Sequence, residues 1–314
     1  MTGYALRRIL GAIPTLFVIV TLAFFMMRAA PGGPFDSERR LPPEVERNIK
    51  AAYDLDKPLV QQYFLYLGKL AHGDLGPSYK NKDFTVVQLI ATGLPVSMRL
   101  GLSAMTIALL LGSFLGVMAA LRQNQWQDYS VMGVAMLGIT IPTFVTAPLL
   151  TLVFGIYGVT LFGHDLSLPV GGWNGGALAN MILPVTVLAL PQIAIVSRLM
   201  RGAMVEVLRA NYIRTARAKG LSARRIVMRH ALRAAVLPLV SYLGPALAAI
   251  LTGSLIVEQI FGLPGIGRYF IQGALNRDYT LVLGVVICYA TLVILLNLLA
   301  DILYGVLDPK VRQA

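Results

Sequence analysis

Long stretches of this chain carry no charged residue, and their lengths set its organisation. Uncharged runs extend over Ile9–Met27, Leu100–Leu121, Tyr129–Gly163, Leu166–Ser197, Ala234–Val257 and Tyr279–Ala300. A helix that crosses a bilayer needs about 20 predominantly apolar residues. The pattern therefore predicts six transmembrane helices, near 9–28, 98–121, 130–157, 178–202, 235–258 and 280–304. The third and fourth runs exceed one span and must contain loop. The segment Gly171–Gly176, GGWNGG, has turn chemistry and separates them. The first run follows Arg7 and Arg8, as in a secretory signal peptide. Its length, and the poor fit of any small-x-small cleavage site before Pro31-Gly32-Gly33-Pro34, favour an uncleaved first helix.

Composition agrees. Of 314 residues, 56% are apolar and 13% charged, about half the charged share of a soluble domain. Disorder is excluded, because low charge with abundant Leu, Val and Ile is the opposite of a disordered composition. One cysteine, Cys288, rules out a disulfide scaffold; at mid-span six it reads as a small buried apolar residue. His72, His164 and His230 are too scattered to make a structural zinc site. Trp126 and Trp173 suit interfacial belts.

The net charge of +12 falls mainly on one side. With the N-terminus inside, inside segments hold Arg7, Arg8, Arg122, ten basic residues from Arg198 to Arg233, Lys310 and Arg312. The short outside loops hold only Arg268 and Arg277. The positive-inside bias puts both termini in the cytoplasm and accounts for most of the charge. No nucleic-acid partner is expected.

Residues 29–97 form an outside segment too long for a plain connector. Pro43 can open a helix with Glu44 and Glu46 in its first turn and Val45, Ile49, Ala52 and Tyr53 on one face. Asp56 can cap a second helix starting at Pro58, with Leu59, Tyr63, Tyr66, Leu67 and Leu70 on one side. This small helical subdomain either contacts an external partner or covers helix ends. The chain divides into 1–28, the N-terminal tip and first helix; 29–97, the outside subdomain; and 98–314, a five-helix core with an inside loop at 203–233.

That loop is the most informative stretch. With its flanks, from Arg198 to Pro238, it holds ten basic residues and one acid, Glu206. Val205, Leu208, Tyr212, Ile213 and Ala216 recur at helical spacing. Gly220 interrupts as a C-terminal glycine does. Ser222 can cap a second helix with Ile226, Val227 and His230 on one face. A topogenic loop lying on anionic headgroups needs no such pattern; a helix–glycine–helix that docks on a partner does.

Two acids fall near membrane depth, Glu258 and Asp301. Each is within a turn or two of a span end, and Glu258 precedes an irregular outside turn, FGLPGIG, over Phe261–Gly267. Neither is at mid-bilayer, which argues against a proton-coupled carrier. Pro142, Pro148, Pro184 and Pro191 can kink spans three and four. Gly112 and Gly116 are a small-xxx-small pair permitting close helix approach. A P-loop, a zincin motif and a nucleophile elbow are all missing, so any ATPase that drives transport is another chain.

The stretch YIRTARAKGLSARRIVMRHALRAAVLP, Tyr212–Pro238, resembles the EAA loop of ABC importer permeases. The family's Glu-Ala-Ala falls on Arg214-Thr215-Ala216, so the acid and first alanine are replaced; Gly220 and Leu237-Pro238 are kept. The long interval between them resembles the peptide and nickel branch. LRRILGAIPTLFVIVTLAFFMMRAAPGGPF, LPPEVERNIKAAYDLDKPLVQQYF, HGDLGPS, GGWNGG, GSLIVEQIFGLPGIG, ALNRDYTLVLG and DPKVR extend the resemblance along the whole chain, nearest its oligopeptide members. The resemblance implies an all-α, six-helix, type I importer permease in the bacterial inner membrane. It is itself non-catalytic and binds no cofactor or metal. Implied partners are a second homologous permease subunit (OppC-like), two ATP-binding subunits (OppD- and OppF-like) that use ATP and Mg, a periplasmic peptide-binding protein (OppA-like), and membrane lipid. Oligopeptides are the implied substrate; dipeptides, murein peptides, glutathione or nickel are the alternatives, with an ion-coupled secondary transporter or a non-transporting anchor further off.

Candidate site residues fall in two groups. For docking an ATPase they are Arg209, Tyr212, Arg214, Thr215, Ala216, Lys219, Gly220, Leu221, Arg225 and His230. For the translocation pathway or outer gate they are Glu258, Phe261, Pro264, Gly265, Pro142 and Asn297.

Overall fold

The computed structural model describes residues 2–29, 44, 47, 51, 54–81, 83–158, 160–161, 164–165 and 167–307. Eleven helical elements organise them: α1 (Thr2–Ala29), α2 (Leu59–Ala71), α3 (Val86–Leu121), α4 (Trp126–Thr140), α5 (Thr143–Leu150), α6 (Leu178–Leu208), α7 (Asn211–Ala218), α8 (residues 223–235), α9 (Leu237–Ile260), α10 (Ile266–Leu275) and α11 (Tyr279–Leu307). A two-residue antiparallel pair, Thr160–Leu161 with His164–Asp165, and an isolated bridge between Pro77 and Thr85 are the departures from helix and loop among the described residues. The helix expected from Pro43 lies mostly outside them.

Among the described residues, five segments are long and apolar enough to cross a membrane: Leu10–Ala29, α3, α6, α9 and Tyr279–Leu303. The sixth expected span is a bent pair. Trp126–Thr140 and Thr143–Ile156 lie 102° apart, so the span expected at 130–157 is broken at Pro142, one of the prolines able to kink it, rather than one continuous helix. The cause is Pro142. Its ring forces the preceding residue out of the helical region, and Ile141 sits at φ −88°, ψ 118°. Pro142 itself is the N-cap of α5. Pro184 and Pro191, by contrast, lie inside an unbroken α6.

Two helices run past their expected ends. α3 starts at Val86, ahead of the expected residue 98, because Thr85 and Gln88 form a capping box. Val86, Leu89 and Ile90 then pack against Ile266, Leu281 and Val285. α6 continues to Leu208. α2 has the expected span, but Asp56 does not cap it; Pro58 is its N-cap, without a side-chain bond. Tyr63 of α2 is buried against Val20 and Phe24 of α1 and Leu283 and Ile287 of α11, and its hydroxyl lies 2.7 Å from Thr21 Oγ1. Leu59, expected on that face, is exposed.

The core is built by close backbone approach. A Cβ on Gly112 would stand 2.8 Å from Val196 Cβ, and one on Gly116 2.5 Å from the Ser197 carbonyl oxygen. α3 and α6 therefore touch along a glycine groove, the small-xxx-small contact expected from the sequence. At the centre, Leu100, Ala104, Ala147, Val187, Leu188, Val257, Phe261 and Leu263 join α3, α5, α6, α9 and the turn after α9 in one apolar cluster.

Candidate functional site

The loop after α6 is a folded element. α6 ends at Leu208, Ala210 is extended at φ −65°, ψ 150°, and α7 starts at Asn211. The single helix expected over 205–216 is thus two. The end of α7 is a Schellman motif: Gly220 N–H donates to the Arg217 carbonyl at 2.9 Å and Leu221 N–H to the Ala216 carbonyl at 3.3 Å. Gly220 has φ +75°, which glycine adopts without a Cβ penalty. Ser222 occupies the N-cap of α8, but its hydroxyl makes no capping bond.

α8 changes helical type along its length. Ala223–Arg225 and Leu232–Ala235 are α-helical, and Ile226–Ala231 between them is π-helical. The wider π turn moves the buried positions to Ile226, Ala231 and Ala235. His230, expected on the face of Ile226, is therefore exposed. An i, i+4 rule fails wherever a π segment adds a residue to the turn.

Ile213 and Ala216 are buried with Met200 and Met204 of α6 and Ile226, Ala231 and Ala235 of α8. α7 is consequently seated on the extension of α6. Arg209, Tyr212, Arg214, Thr215, Lys219, Gly220, Arg225 and His230 are exposed, and Leu221 is half-buried. Ala216 faces inward and seats the helix. Arg209 Nη2 donates to Gln123 Oε1 at 3.1 Å.

An ion pair missed in the sequence braces this end. Arg201 Nε and Nη2 donate to the two carboxylate oxygens of Asp128 at 2.6 Å each, and Asn124 N–H adds a bond of 2.9 Å. Asp128 is 1% exposed. The pair joins α4 to α6 across 73 positions, beyond any local pattern. Asp128→Asn keeps the shape but loses the charge-assisted fork, so we expect a loss of about 2 kcal/mol. A thermal melt in detergent within a degree of wild type overturns this.

At the other end, the FGLPGIG turn is a helix–turn–helix folded around a buried acid. Glu258 is 0% exposed. Its Oε1 accepts from Ser97 Oγ at 2.6 Å and Ser254 Oγ at 2.8 Å, and its Oε2 from Gly267 N–H at 2.8 Å. Ser97 Oγ in turn accepts from Ile266 N–H at 3.0 Å. A carboxylate and a hydroxyl thus satisfy the first donors of α10 and tie it to α3 and α9. A Cβ on Gly265, the N-cap of α10, would collide with the Glu258 carboxylate. Glu258, within a turn or two of its span end, is thus enclosed by protein.

The GGWNGG turn docks beside this cluster. Gly172 N–H donates to the Phe261 carbonyl at 2.8 Å, and Asn180 Nδ2 donates to the Gly171 and Gly172 carbonyls. Phe261 is buried and Pro264 half-buried. The structure therefore gathers Glu258, Phe261, Pro264 and Gly265. Pro142 and Asn297 lie elsewhere: Pro142 is exposed at the α4–α5 bend, and Asn297 lines a 340 Å³ crevice with Gly11, Thr15 and Asp301, between α1 and α11.

Asp278 was also missed. It is fully buried, caps α11 by accepting from Leu281 N–H at 3.1 Å, and accepts from Ser78 Oγ and Lys80 N–H. An Asp directly before the apolar run Tyr279–Ala300 is a readable capping signal.

A helical bundle with this many apolar spans, folded loops at both ends and a kinked helix pair defines a polytopic membrane protein. Residues 112–313 match the family described as "Binding-protein-dependent transport system inner membrane component", and residues 1–101 match its N-terminal counterpart. The chain belongs to this family of inner-membrane transport components and is a multi-pass inner-membrane protein. It is 56% identical over 312 residues to the oligopeptide transport system permease protein OppB of Escherichia coli (strain K12), covering 99% of this chain and 100% of that one. Identity is 57% to OppB of Salmonella typhimurium, with the same coverage. It is 42% to the dipeptide transport system permease protein DppB of Bacillus subtilis (strain 168), covering 99% and 98%. A chain of the MetNI methionine ABC transporter, solved in inward facing conformations, aligns with a TM-score of 0.56 at 16% identity, over 71% of this chain and 97% of that one. That likeness concerns the fold alone.

Proposed function

We propose that this chain is the permease subunit of an ATP-driven importer that moves oligopeptides across the inner membrane, delivered by a periplasmic binding protein. The observation that carries the reading is the full-length identity with oligopeptide permeases, which exceeds that with the dipeptide permease. Both termini lie in the cytoplasm, as the positive-inside bias supports. α7 and the Gly220 turn dock on an ATP-binding subunit, a partner that uses ATP and magnesium. The exposed row of Arg209, Tyr212, Arg214, Lys219 and Arg225 supports this.

The packing supplies the lever. Movement of α7 passes to α6 through Ile213 and Ala216 on Met200 and Met204. It passes through α8, which leads directly into α9 at Leu237. α9 ends at the Glu258 cluster, so the docking element and the outer turn share one helix. Peptide backbones are uniform and side chains are not; the binding protein therefore sets most of the selectivity.

Two measurements test this. The tagged chain is pulled from its native membrane in mild detergent and the eluate assayed for ATPase activity. A second six-span subunit with ATPase partners, stimulated by peptide-loaded binding protein, is the expected outcome. A chain that still elutes alone and inactive after crosslinking from a cysteine at Ala218 overturns the reading. The second is Gly220→Trp. Nothing lies within 4 Å of a Cβ built there, so the chain accommodates the ring at the cost of a positive φ, about 1–2 kcal/mol. We expect normal spans and basal ATPase activity, with peptide uptake lowered about tenfold, the equivalent of ~1.4 kcal/mol of coupling. Uptake at the wild-type rate rules out the docking geometry.

A further inference from the structure

α3 has two unlike faces. Val96, Leu100, Ala104 and Ala108 are buried. Thr92, Pro95, Arg99, Leu102 and Thr106 are exposed and recur every three or four residues, which makes them one stripe. Arg99 stands immediately before the charge-free run Leu100–Leu121, at the outer edge of the apolar part of the helix. The two threonines return their hydroxyls to their own helix, at Leu89 and Leu102. The cation is the part of the stripe that calls for an explanation.

Its guanidinium is seated. The Arg99 Cζ lies 5.7 Å from the centroid of the Trp173 ring. Gly176, at φ +82°, is so close that a Cβ there would overlap the guanidinium. The GGWNGG turn is thus shaped around this side chain and holds it by a cation–π contact. Among the described residues Arg99 has no ion pair and no hydrogen bond. Glu258 of α9, bound by Ser97 two residues before Arg99, is already filled by Ser97, Ser254 and Gly267. A pre-oriented guanidinium with its donors unspent fits a carboxylate bidentately.

We propose that Arg99 is a substrate contact at the outer mouth of the pathway, taking the C-terminal carboxylate of the incoming peptide. The proposal rests on the peptide-importer reading above. Peptides of any side-chain composition share that carboxylate, so one fixed cation serves them all. An anionic lipid headgroup would meet the same guanidinium chemistry, and the test separates the two.

The whole importer, with its ATPases and binding protein, is reconstituted in proteoliposomes. Uptake of trialanine is compared with uptake of trialanine C-terminal amide, for wild type, Arg99→Gln and Arg99→Lys. Taking the variant-to-wild-type ratio for each peptide cancels any preference of the binding protein. We expect Arg99→Gln to lower uptake of the free acid about tenfold, the loss of one charge-assisted contact, through a raised KM. Uptake of the amide should be unchanged, and Arg99→Lys should keep part of the free-acid rate. Equal loss for both peptides assigns Arg99 to lipid or to positioning and overturns the proposal. So does an unchanged rate for both. A wild-type complex that moves neither peptide overturns the importer reading itself, and this proposal with it.

Discussion

Replacing Glu258 with alanine is expected to destabilise the chain by about 4 kcal/mol. The carboxylate accepts from Ser97, Ser254 and Gly267. Truncation strands these donors in a buried site, at about 1–3 kcal/mol each. The Ser97 hydroxyl can recover part by turning elsewhere; the Gly267 N–H is fixed by its helix. The cost therefore sits toward the lower end of the possible sum, and the unfolding midpoint in detergent should fall on the order of 10 °C. Glu258→Gln separates shape from charge. It fills the space and keeps one acceptor, but its NH₂ faces a donor, so about half the loss should return. Removing Ser97 as well should cost less than the two single losses added, because the second change deletes an orphaned donor. An alanine variant that melts with wild type would show that the cluster does not hold the outer turn.

How much of this was legible follows from the range of each interaction. Charge-free runs report burial in lipid residue by residue, so five spans were placed closely. For the sixth, Pro142 marked a possible kink, but the size of the break, 102° between α4 and α5, follows from the extended Ile141 before it. The capping box at Thr85 and Gln88 and the cap at Asp278 were readable within three residues and were passed over. Gly220 was legible because a Schellman motif is local. His230 was misplaced because π geometry leaves no mark in a 3.6-residue period. Glu258 has local partners in Ser254 and Gly267, but Ser97 lies 161 positions from it, and Arg201 lies 73 from Asp128. Only the packed chain brings them together, so the outer cluster and the inner ion pair belong to tertiary structure. Arg99 sat at the edge of a run, where a cation reads as a boundary rather than a contact.

Gly116→Leu is expected to prevent the bundle from forming. A Cβ there would meet the Ser197 carbonyl oxygen at 2.5 Å and Met200 Cβ at 2.7 Å. The first is backbone and cannot rotate away. Relief requires α3 and α6 to separate, and Gly112, one turn earlier, is equally tight against Val196. Overpacking in a well-packed core costs about 1–3 kcal/mol where side chains can yield; here a helix must move, so the loss should exceed that range. The consequence reaches the inner end, because Met200 and Met204 on the same stretch of α6 seat Ile213 and Ala216 of α7. Gly133→Leu on α4 is the matched control. Nothing lies within 4 Å of a Cβ at Gly133, and a leucine there gains helix propensity of up to about 1 kcal/mol. In membranes expressing each variant, the Gly133 chain should extract as a monodisperse species at the wild-type level, and the Gly116 chain should be aggregated or degraded. A Gly116→Leu chain that extracts like wild type would mean that α3 and α6 do not meet along this groove.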